Sequence, residues 1–469
     1  MKKLVVALIC LLLAGAVAAW YFLRDKDKAR NVLPADAMAV AVFEPVELFK
    51  ELDFPLSKVP KLVMNFEGLV EAVDLTEPVY AFASEDGLSG FALNVKDADK
   101  LLEAASSFGF ASEEQRGLWW IANRNSIGCL DKDKLLLLAP VPETQQDALR
   151  DEMVKLMSQG RQDVPVLKTA ERQKGVVRAS VSLSNLPDIL NRQLAKNHII
   201  SGEIINSQAL SEAILGYAFN IEKKALVHSL RLEGVETLPM PLSPIKGSLI
   251  GLEPEEPFVW ACVNMRGEEL LLQLRQVPLF RTALLALNMC VDADMMMKAI
   301  DGDVTLAIPR AGGRHVDFLL TATLDNTDFL ANANDWSVTR RGRTDFVTTQ
   351  YGANVFFGVR DDKLYIASSE RLANKACREA DDAEDFQKEA KGKYLCASLD
   401  LEKLFETASR GFSPTAIVLN IPQIREAVNA LNCVSLTVDS PQSLELRVET
   451  DKPVKDIFSS FFSIFSGDK

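Results

Sequence analysis

The feature that most constrains how this chain folds is an internal sequence repeat. Residues 91–102 form an apolar strand pattern that runs into a helical pattern, and residues 320–330 repeat it 229 positions later. The polar turn and apolar strand of residues 133–139 recur at residues 362–368 with the same spacing. A spacing kept across both pairs is poorly explained by coincidence, so the chain is predicted to contain two copies of one unit.

Two further pairs extend the repeat. Residues 179–190 match residues 396–405, and Leu230-Arg-Leu-Glu aligns with Leu446-Arg-Val-Glu at a spacing of 216. A weaker match joins the apolar segment after Pro34 to the one after Pro254.

The order of these blocks predicts two modules. We place the first module at residues 31–245 and the second, its duplicate, at residues 246–469. The proline-rich connection at residues 234–246 is the natural boundary. A length of 469 residues leaves room for two or three domains.

The fold class follows from the short apolar runs that alternate with helical patterns in each copy. Polar turns at residues 84–87 and 310–314 separate neighbouring strand patterns, and the second predicts a β-hairpin. Asp97 and Asp325 each follow a strand pattern and are predicted to lie at the start of a helix, where a carboxylate caps free amide groups. We therefore expect α+β modules with largely antiparallel sheets flanked by helices.

The first 30 residues differ from the rest of the chain. Residues 4–23 are uninterrupted apolar, between Lys2-Lys3 and a charged stretch that begins at Arg24. About 20 apolar residues can cross a bilayer, which predicts one N-terminal transmembrane helix, a signal anchor, within residues 1–30. Ala16 and Ala18 leave open a cleaved signal peptide. Both alternatives place the soluble region outside the cytoplasm, and the anchor makes it membrane-bound on the periplasmic side of a bacterial envelope.

Charge argues against nucleic acid as a partner. Residues 1–30 contain six of the 52 basic and two of the 65 acidic residues, so the remainder carries a net charge of −17. Such a surface repels phosphate backbones.

Six cysteines lie beyond the apolar segment, and no two are closer than 19 positions. The C-x-x-C motif of redox and zinc sites is therefore absent. An exported location permits disulfides, but most of these cysteines occur in apolar strand patterns, which favours buried free thiols.

No motif for catalysis, a cofactor or a metal is found. The three histidines, His198, His228 and His315, are far apart, and Gly312-Gly313 is interpreted as a turn. Four aspartates, Asp292, Asp294, Asp301 and Asp303, suggest oxygen ligands for a hard cation, but they lack the glycine and distal glutamate of a calcium loop. Helix ends and solvated turns are the favoured interpretation, and no residue is predicted to be catalytic, cofactor-binding or metal-binding.

Three apolar features each allow two interpretations. Met295, Met296 and Met297 belong either to a core helix or to an adaptable groove. Trp119 and Trp120 point to opposite faces of a sheet, so one of them is either exposed for binding or covered by a helix. The helical stripe of residues 457–465 packs either on its own module, which we favour, or on a partner or membrane.

A family resemblance rests on Asn31-Val-Leu-Pro-Ala-Asp-Ala-Met after an export segment, on the Asn94-Val-Lys-Asp-Ala-Asp-Lys-Leu block and on the Asp-Lys-Leu-Tyr-Ile-Ala-Ser strand. Together they resemble an exported Bacteroidetes family of unknown function. The resemblance implies tandem strand-helix modules and no catalytic residues.

These observations favour a non-enzymatic binding or scaffolding protein of the envelope. Its expected partner is another envelope protein or a polymer, held at the surface or cleft between the two modules. The alternative is a carboxylate-dependent hydrolase with its site between the modules, and a third possibility is a structural spacer.

Overall fold

The structure is a computed structural model, and the chain forms two compact units. The first unit contains residues 1–50 and 55–168, and the second contains residues 51–54 and 169–469. The predicted module boundary near residue 245 therefore lies inside the second unit. The structure describes residues 27–53, 67–85, 87–184, 212–235, 241–252, 257–275, 277–288, 291–312, 315–336, 338–350, 353–378, 385–404 and 430–459.

The first unit is built on a seven-stranded antiparallel sheet. Its strands lie in the order β1-β2-β3-β7-β6-β5-β4. Their bounds are β1 Ala37–Phe43, β2 Val79–Ser84, β3 Ser89–Asn94, β4 Ala111–Gln115, β5 Leu118–Asn123, β6 Ser126–Leu130 and β7 Lys134–Leu138.

Four helices and a 3-10 turn accompany this sheet. Leu101 and Ala105 of α3 pack with Leu130 and Leu135 of the sheet in one apolar core cluster. The bounds are the turn Ala29–Val32, α1 Pro45–Glu51, α2 Glu67–Ala72, α3 Ala98–Ser107 and α4 Glu143–Ser158. A fifth helix, α5 Pro165–Arg172, runs past the end of this unit in the chain.

The second unit contains a longer antiparallel sheet. Its strands lie in the order β8-β9-β10-β21-β20-β19-β12-β13-β14-β18-β17-β16-β15, and β11 also pairs with β12. The bounds are β8 Val177–Ser182, β9 Ile214–Glu222, β10 Ala225–Glu233, β11 Leu242–Ser243, β12 Val259–Arg266, β13 Ile300–Gly312, β14 His315–Leu324, β15 Thr339–Arg340, β16 Asp345–Gln350, β17 Ala353–Arg360, β18 Lys363–Ala367, β19 Leu395–Asp400, β20 Leu431–Ser440 and β21 Ser443–Thr450.

The helices of the second unit follow its strands. Met296 of α8 and Phe329 of a 3-10 helix enter an apolar core cluster around Phe346 and Phe357 of the sheet. The bounds are α6 Gly267–Leu274, α7 Pro278–Asn288, α8 Ala293–Ala299, the 3-10 helix Asp328–Asp335, α9 Glu370–Lys375 and α10 Asp385–Lys388.

The two predicted copies have the same strand order. In sheet order, the first copy has β1-β2-β3-β7-β6-β5-β4, and the second has β12-β13-β14-β18-β17-β16-β15. The pairing register agrees as well. Leu93 pairs with Leu135 in the first copy, and Ala322 pairs with Leu364 in the second copy. Both residues of the second pair lie 229 positions after their counterparts.

One backbone hydrogen bond repeats at the same spacing: Val95 N donates to Asp133 O, and Leu324 N donates to Asp362 O, each 229 positions later. A second recurs with a shifted acceptor. Lys96 N donates to Ala72 O and Asp325 N to Ala299 O, both at 2.8 Å, so the donors are 229 and the acceptors 227 positions apart. Segments of limited sequence similarity therefore share both strand pairing and local connections.

The sequence predictions for individual elements are partly confirmed. The α+β class with antiparallel pairing is confirmed, and β13 and β14 form the predicted hairpin, with Gly312 opposite His315. Asp97 caps α3, because its carboxylate accepts a hydrogen bond from Lys100 N. Asp325 lies three residues before a 3-10 helix that begins at Asp328, but the predicted capping role is wrong for it, because the side chain that accepts from Asp328 N is that of Asn326.

The predicted anchor at residues 4–23 lies outside the described residues and stays a prediction. Within the part of the chain that the structure describes, no helix combines the length and apolar character needed to cross a membrane.

Candidate functional site

The second unit presents an apolar row that crosses nine neighbouring strands. Each member pairs directly with the next, because antiparallel pairing places opposed side chains on the same face. From β8 to β14 in sheet order, the row is Val177, Phe219, His228, Leu446, Leu436, Ala397, Ala261, Leu306 and Leu320.

A second row runs beside the first on the same face. It contains Ile221, Leu226, Val448, Val434, Leu399, Val259 and Ile308. We call the two rows together the apolar face. All of its side chains except the buried Ile221 are half-buried, and Leu320 at one end packs against the core cluster around Phe346.

The opposite side of the sheet is closed at three of these strands, β12, β13 and β19. Trp260, Cys262, Ala307 and Cys396 are buried there in one cluster with residues from outside the strands, including Ala390. Successive side chains of a strand point to opposite faces, so these three strands contribute both to this buried cluster and to the apolar face.

Two polar side chains interrupt the apolar face. Tyr217 Oη and His228 Nδ1 lie 2.8 Å apart, and the rings of Phe219 and His228 are 4.9 Å apart between centroids. Burial raises the pKa of Tyr217, which keeps its hydroxyl protonated. The Tyr217 hydroxyl and the His228 ring nitrogen form a hydrogen bond with each other, and Tyr217 is uncharged.

The seam between the two predicted modules lies within the apolar face. There β10 pairs antiparallel with β21, and Ser229 faces Glu445, a residue 216 positions later. This spacing equals the offset between the Leu230 and Leu446 blocks of the repeat. Corresponding strands of the two predicted copies therefore pair with each other here, and both predicted copies contribute to the face.

A buried carboxylate lies elsewhere in the second unit. Asp303 is fully buried and accepts hydrogen bonds from Lys246 N, Ser248 N, Ser248 Oγ and the Asn264 side chain, at 2.7 to 2.9 Å. Burial by itself raises the pKa of Asp303, but these four hydrogen bonds outweigh it, and the pKa is lowered. Asp303 thus fastens the segment around Lys246 to the sheet.

The other aspartates considered as cation ligands have separate places. Asp292 caps α8 by accepting a hydrogen bond from Met295 N, and Asp294 forms an ion pair with Arg275. Asp301 is exposed on β13. Among the described residues, no three His, Cys, Asp or Glu side chains form a group able to hold a metal ion.

A cavity of about 1020 Å³ opens in the first unit, beside the start of α4. Its polar lining includes Asn123, Arg124, Glu143 and Gln146, and Glu143 is the one carboxylate among the described lining residues. The Gln146 amide already donates to the backbone carbonyls of Asn123, Ser126 and Val141. Gln146 therefore joins α4 to the sheet, and the lining does not bring two carboxylates together.

The ambiguous apolar residues mostly enter cores. Met296 is buried, whereas Met295 on the same helix is 37% exposed. Trp120 is buried and the Arg150 guanidinium lies 4.9 Å from its ring centroid, while Trp119 packs beside the α3 core cluster. The C-terminal helix is described only as far as residue 459, with Ile457 and Phe458 half-buried.

The histidines remain separate in the described part of the chain. His228 contacts Tyr217 as given above, and His198 lies outside the described residues. His315 opens β14 at the hairpin.

Comparisons with known proteins found only distant structural similarity. No protein-family model matches the chain, and no curated protein matches it. Solved structures of TP0453 in crystal forms IV, I and III are similar to it at 12%, 11% and 10% sequence identity. In the same order, the matched regions cover 43%, 45% and 45% of this chain, and 78%, 80% and 81% of the TP0453 chain. Each match has a TM-score of 0.30. That score is too low to support an argument about fold or function.

Sequence reasoning did not find the apolar face. The alternation of β21 was a usable signal, since Leu444, Leu446 and Val448 occupy every second position with the charged Glu445 and Arg447 between them. Alternation shows that a strand has one apolar side, but the face exists only because nine strands bring their apolar sides into one row.

Proposed function

We propose that this chain is a non-enzymatic, membrane-anchored envelope protein that binds another protein through the apolar face. The observation that carries the proposal is the nine-strand row, in which eight half-buried side chains are apolar and one is His228. It agrees with the binding or scaffolding role expected from the sequence, and it gives that role a surface.

The proposal includes a tandem duplication. Shared strand order, the common register of 229 positions and the pairing of Ser229 with Glu445 all support two copies of one module. Duplication explains why the apolar face continues through the seam, because each copy supplies an equivalent strand there.

The dimensions of the face favour a protein partner. Eight strand spacings of about 4.8 Å give a width of about 38 Å, and two rows cover on the order of 500 Å². This is comparable with the largest apolar patches on monomeric proteins and approaches the ~800 Å² that one partner contributes to a standard interface. A small ligand is normally enclosed in a concave pocket, whereas this surface is a long strip.

The hydrolase alternative gains no specific support from the described residues. Asp303 is committed to four hydrogen bonds, and the cavity in the first unit has a single described carboxylate in its lining. A general acid and base need two carboxylates placed on either side of a bond.

Site-specific photo-crosslinking tests the proposal. A photoreactive amino acid is placed at Leu446, in the full-length protein in its native membrane, and the crosslinked material is analysed by mass spectrometry. We expect one protein to be attached reproducibly from this position, because Leu446 lies inside the apolar face, with strands of the row on both sides.

Glu445 provides the matched control. It is adjacent to Leu446 on β21 and points to the opposite face of the sheet. Equal crosslinking from both positions, no attached protein from Leu446, or attachment of lipid alone would contradict a protein partner at this face.

A further inference from the structure

The second unit places two cysteines directly opposite each other on neighbouring strands. Cys262 of β12 pairs with Cys396 of β19 in antiparallel register. Both are buried, 1% and 3% exposed, in the cluster that also contains Trp260 and Ala307. They are 134 positions apart in the sequence, so only the fold brings them together.

The hydrogen-bond pattern around the pair gives its geometry. Asp400 N donates to Phe258 O at 2.8 Å, which makes residues 258 and 400 a hydrogen-bonded pair. Such pairs alternate along an antiparallel ladder, so Trp260 with Ser398 and Cys262 with Cys396 are also of this type. Their Cα atoms are then about 5.5 Å apart, inside the ~4.4–6.8 Å range of disulfides.

Both side chains point to the same face, because directly opposed residues share a face of the sheet. Closing a bond brings Cβ atoms from about 5 Å to about 4 Å, a change that requires a small local adjustment of two strands. Cys129 on β6 pairs with Trp120 and Leu136, and Cys433 on β20 pairs with Asp400, so neither faces a cysteine in these pairings. Cys377 lies two residues after α9.

We infer that Cys262 and Cys396 form a cross-strand disulfide when the chain folds in an oxidising compartment. Neither cysteine is joined in a disulfide in this structure. The bond forms by thiol–disulfide exchange with a protein disulfide: a thiolate attacks it, the second cysteine resolves the mixed disulfide, and the donor leaves with two thiols. The two cysteines lose two electrons and two protons in total, and the donor disulfide gains them.

The timing of the reaction follows from burial. Desolvation raises the pKa of Cys396, so little of its reactive thiolate is present once the core has closed. Exchange is therefore expected while β19 is still joining β12, and the completed bond is shielded from reductants in the folded protein. It would fix the junction between β19–β21 and the strands that begin with β12.

The first experiment refolds the full-length protein in detergent with a mixture of oxidised and reduced glutathione. Free thiols are then blocked with N-ethylmaleimide under denaturing conditions. We expect two fewer blocked thiols than in a reduced sample, and a peptide pair linked through Cys262 and Cys396. Complete blocking of all thiols, or a link between other cysteines, would overturn the inference.

Variants separate this pair from the other cysteines. Cys262→Ser should leave Cys396 available to N-ethylmaleimide, whereas Cys129→Ser should leave the linked peptide unchanged. If Cys129→Ser abolishes the linked peptide while the variant still folds, as judged by circular dichroism, the pairing is wrong. The inference is independent of the proposed binding partner, since either can fail while the other holds.

Discussion

At the scale of single residues, Asp303 shows how a polar group is accommodated in a core. An ionised carboxylate is costly to bury unless donors surround it, and here two backbone amides, a hydroxyl and an amide side chain do so. The segment around Lys246 then depends on this side chain for its attachment to the sheet.

Replacing Asp303 is expected to destabilise the second unit. Asp303→Ala leaves the Asn264 amide and two backbone amides without their acceptor, and we expect a loss of about 3 kcal/mol in the free energy of unfolding. Urea denaturation measures this loss. Asp301→Ala is the control, because Asp301 is exposed on the same strand; an equal effect of both changes would contradict the assigned role.

The same residue predicts a dependence on pH. Because the pKa of Asp303 is lower in the folded state than in the unfolded state, its contribution is present above the unfolded pKa of about 4 and is lost as pH falls through the folded value. The stability difference between the wild type and Asp303→Asn should therefore shrink below about pH 4. A difference that stays constant from pH 7 to pH 3 would show that Asp303 is not ionised in the folded protein.

At the scale of elements, the start of α3 tests a prediction made from sequence. Asp97→Ala removes the cap on Lys100 N and should cost about 1 kcal/mol, measured by urea denaturation. Asp97→Asn should restore most of the stability, because asparagine is also a good cap. If both substitutions have the same cost, capping is not the reason.

The contact between β3 and β7 requires a glycine. A Cβ atom at Gly90 would lie 2.3 Å from Leu137 O, a backbone atom that cannot move without disturbing the strand pairing. Gly90→Ala is therefore expected to lower the unfolding free energy of the first unit by about 2 kcal/mol. Gly160→Ala, where nothing lies within 4 Å, should change it little, and a thermal melt of both variants checks the difference.

At the scale of the whole molecule, the N-terminal segment predicts how the protein is held. If residues 4–23 form an uncleaved anchor, the full-length chain should remain in the membrane pellet after a carbonate wash. A chain lacking residues 1–26 should move to the supernatant, because it lacks the apolar segment of residues 4–23 but keeps the 3-10 turn Ala29–Val32. Release of the full-length protein at the same step would rule out the anchor and favour a cleaved signal.

The sequence by itself determined the class of fold and several local features. Alternating patterns and polar turns indicated antiparallel strands and the β13–β14 hairpin, because these depend on neighbouring residues. Asp97 was identified as a cap for the same reason, whereas Asp325 failed because the chain after β14 forms a 3-10 helix only three residues later.

The tertiary structure alone decided which distant residues meet. The burial of Asp303, the opposition of Cys262 and Cys396, and the nine-strand apolar face all arise from pairing between strands far apart in the chain. A strand's period of two shows that one side is apolar, but it does not show which strands lie beside it or what covers that side. The neighbours of a strand and the groups that cover its apolar side depend on the register and order of the whole sheet. No local segment of the sequence specifies them.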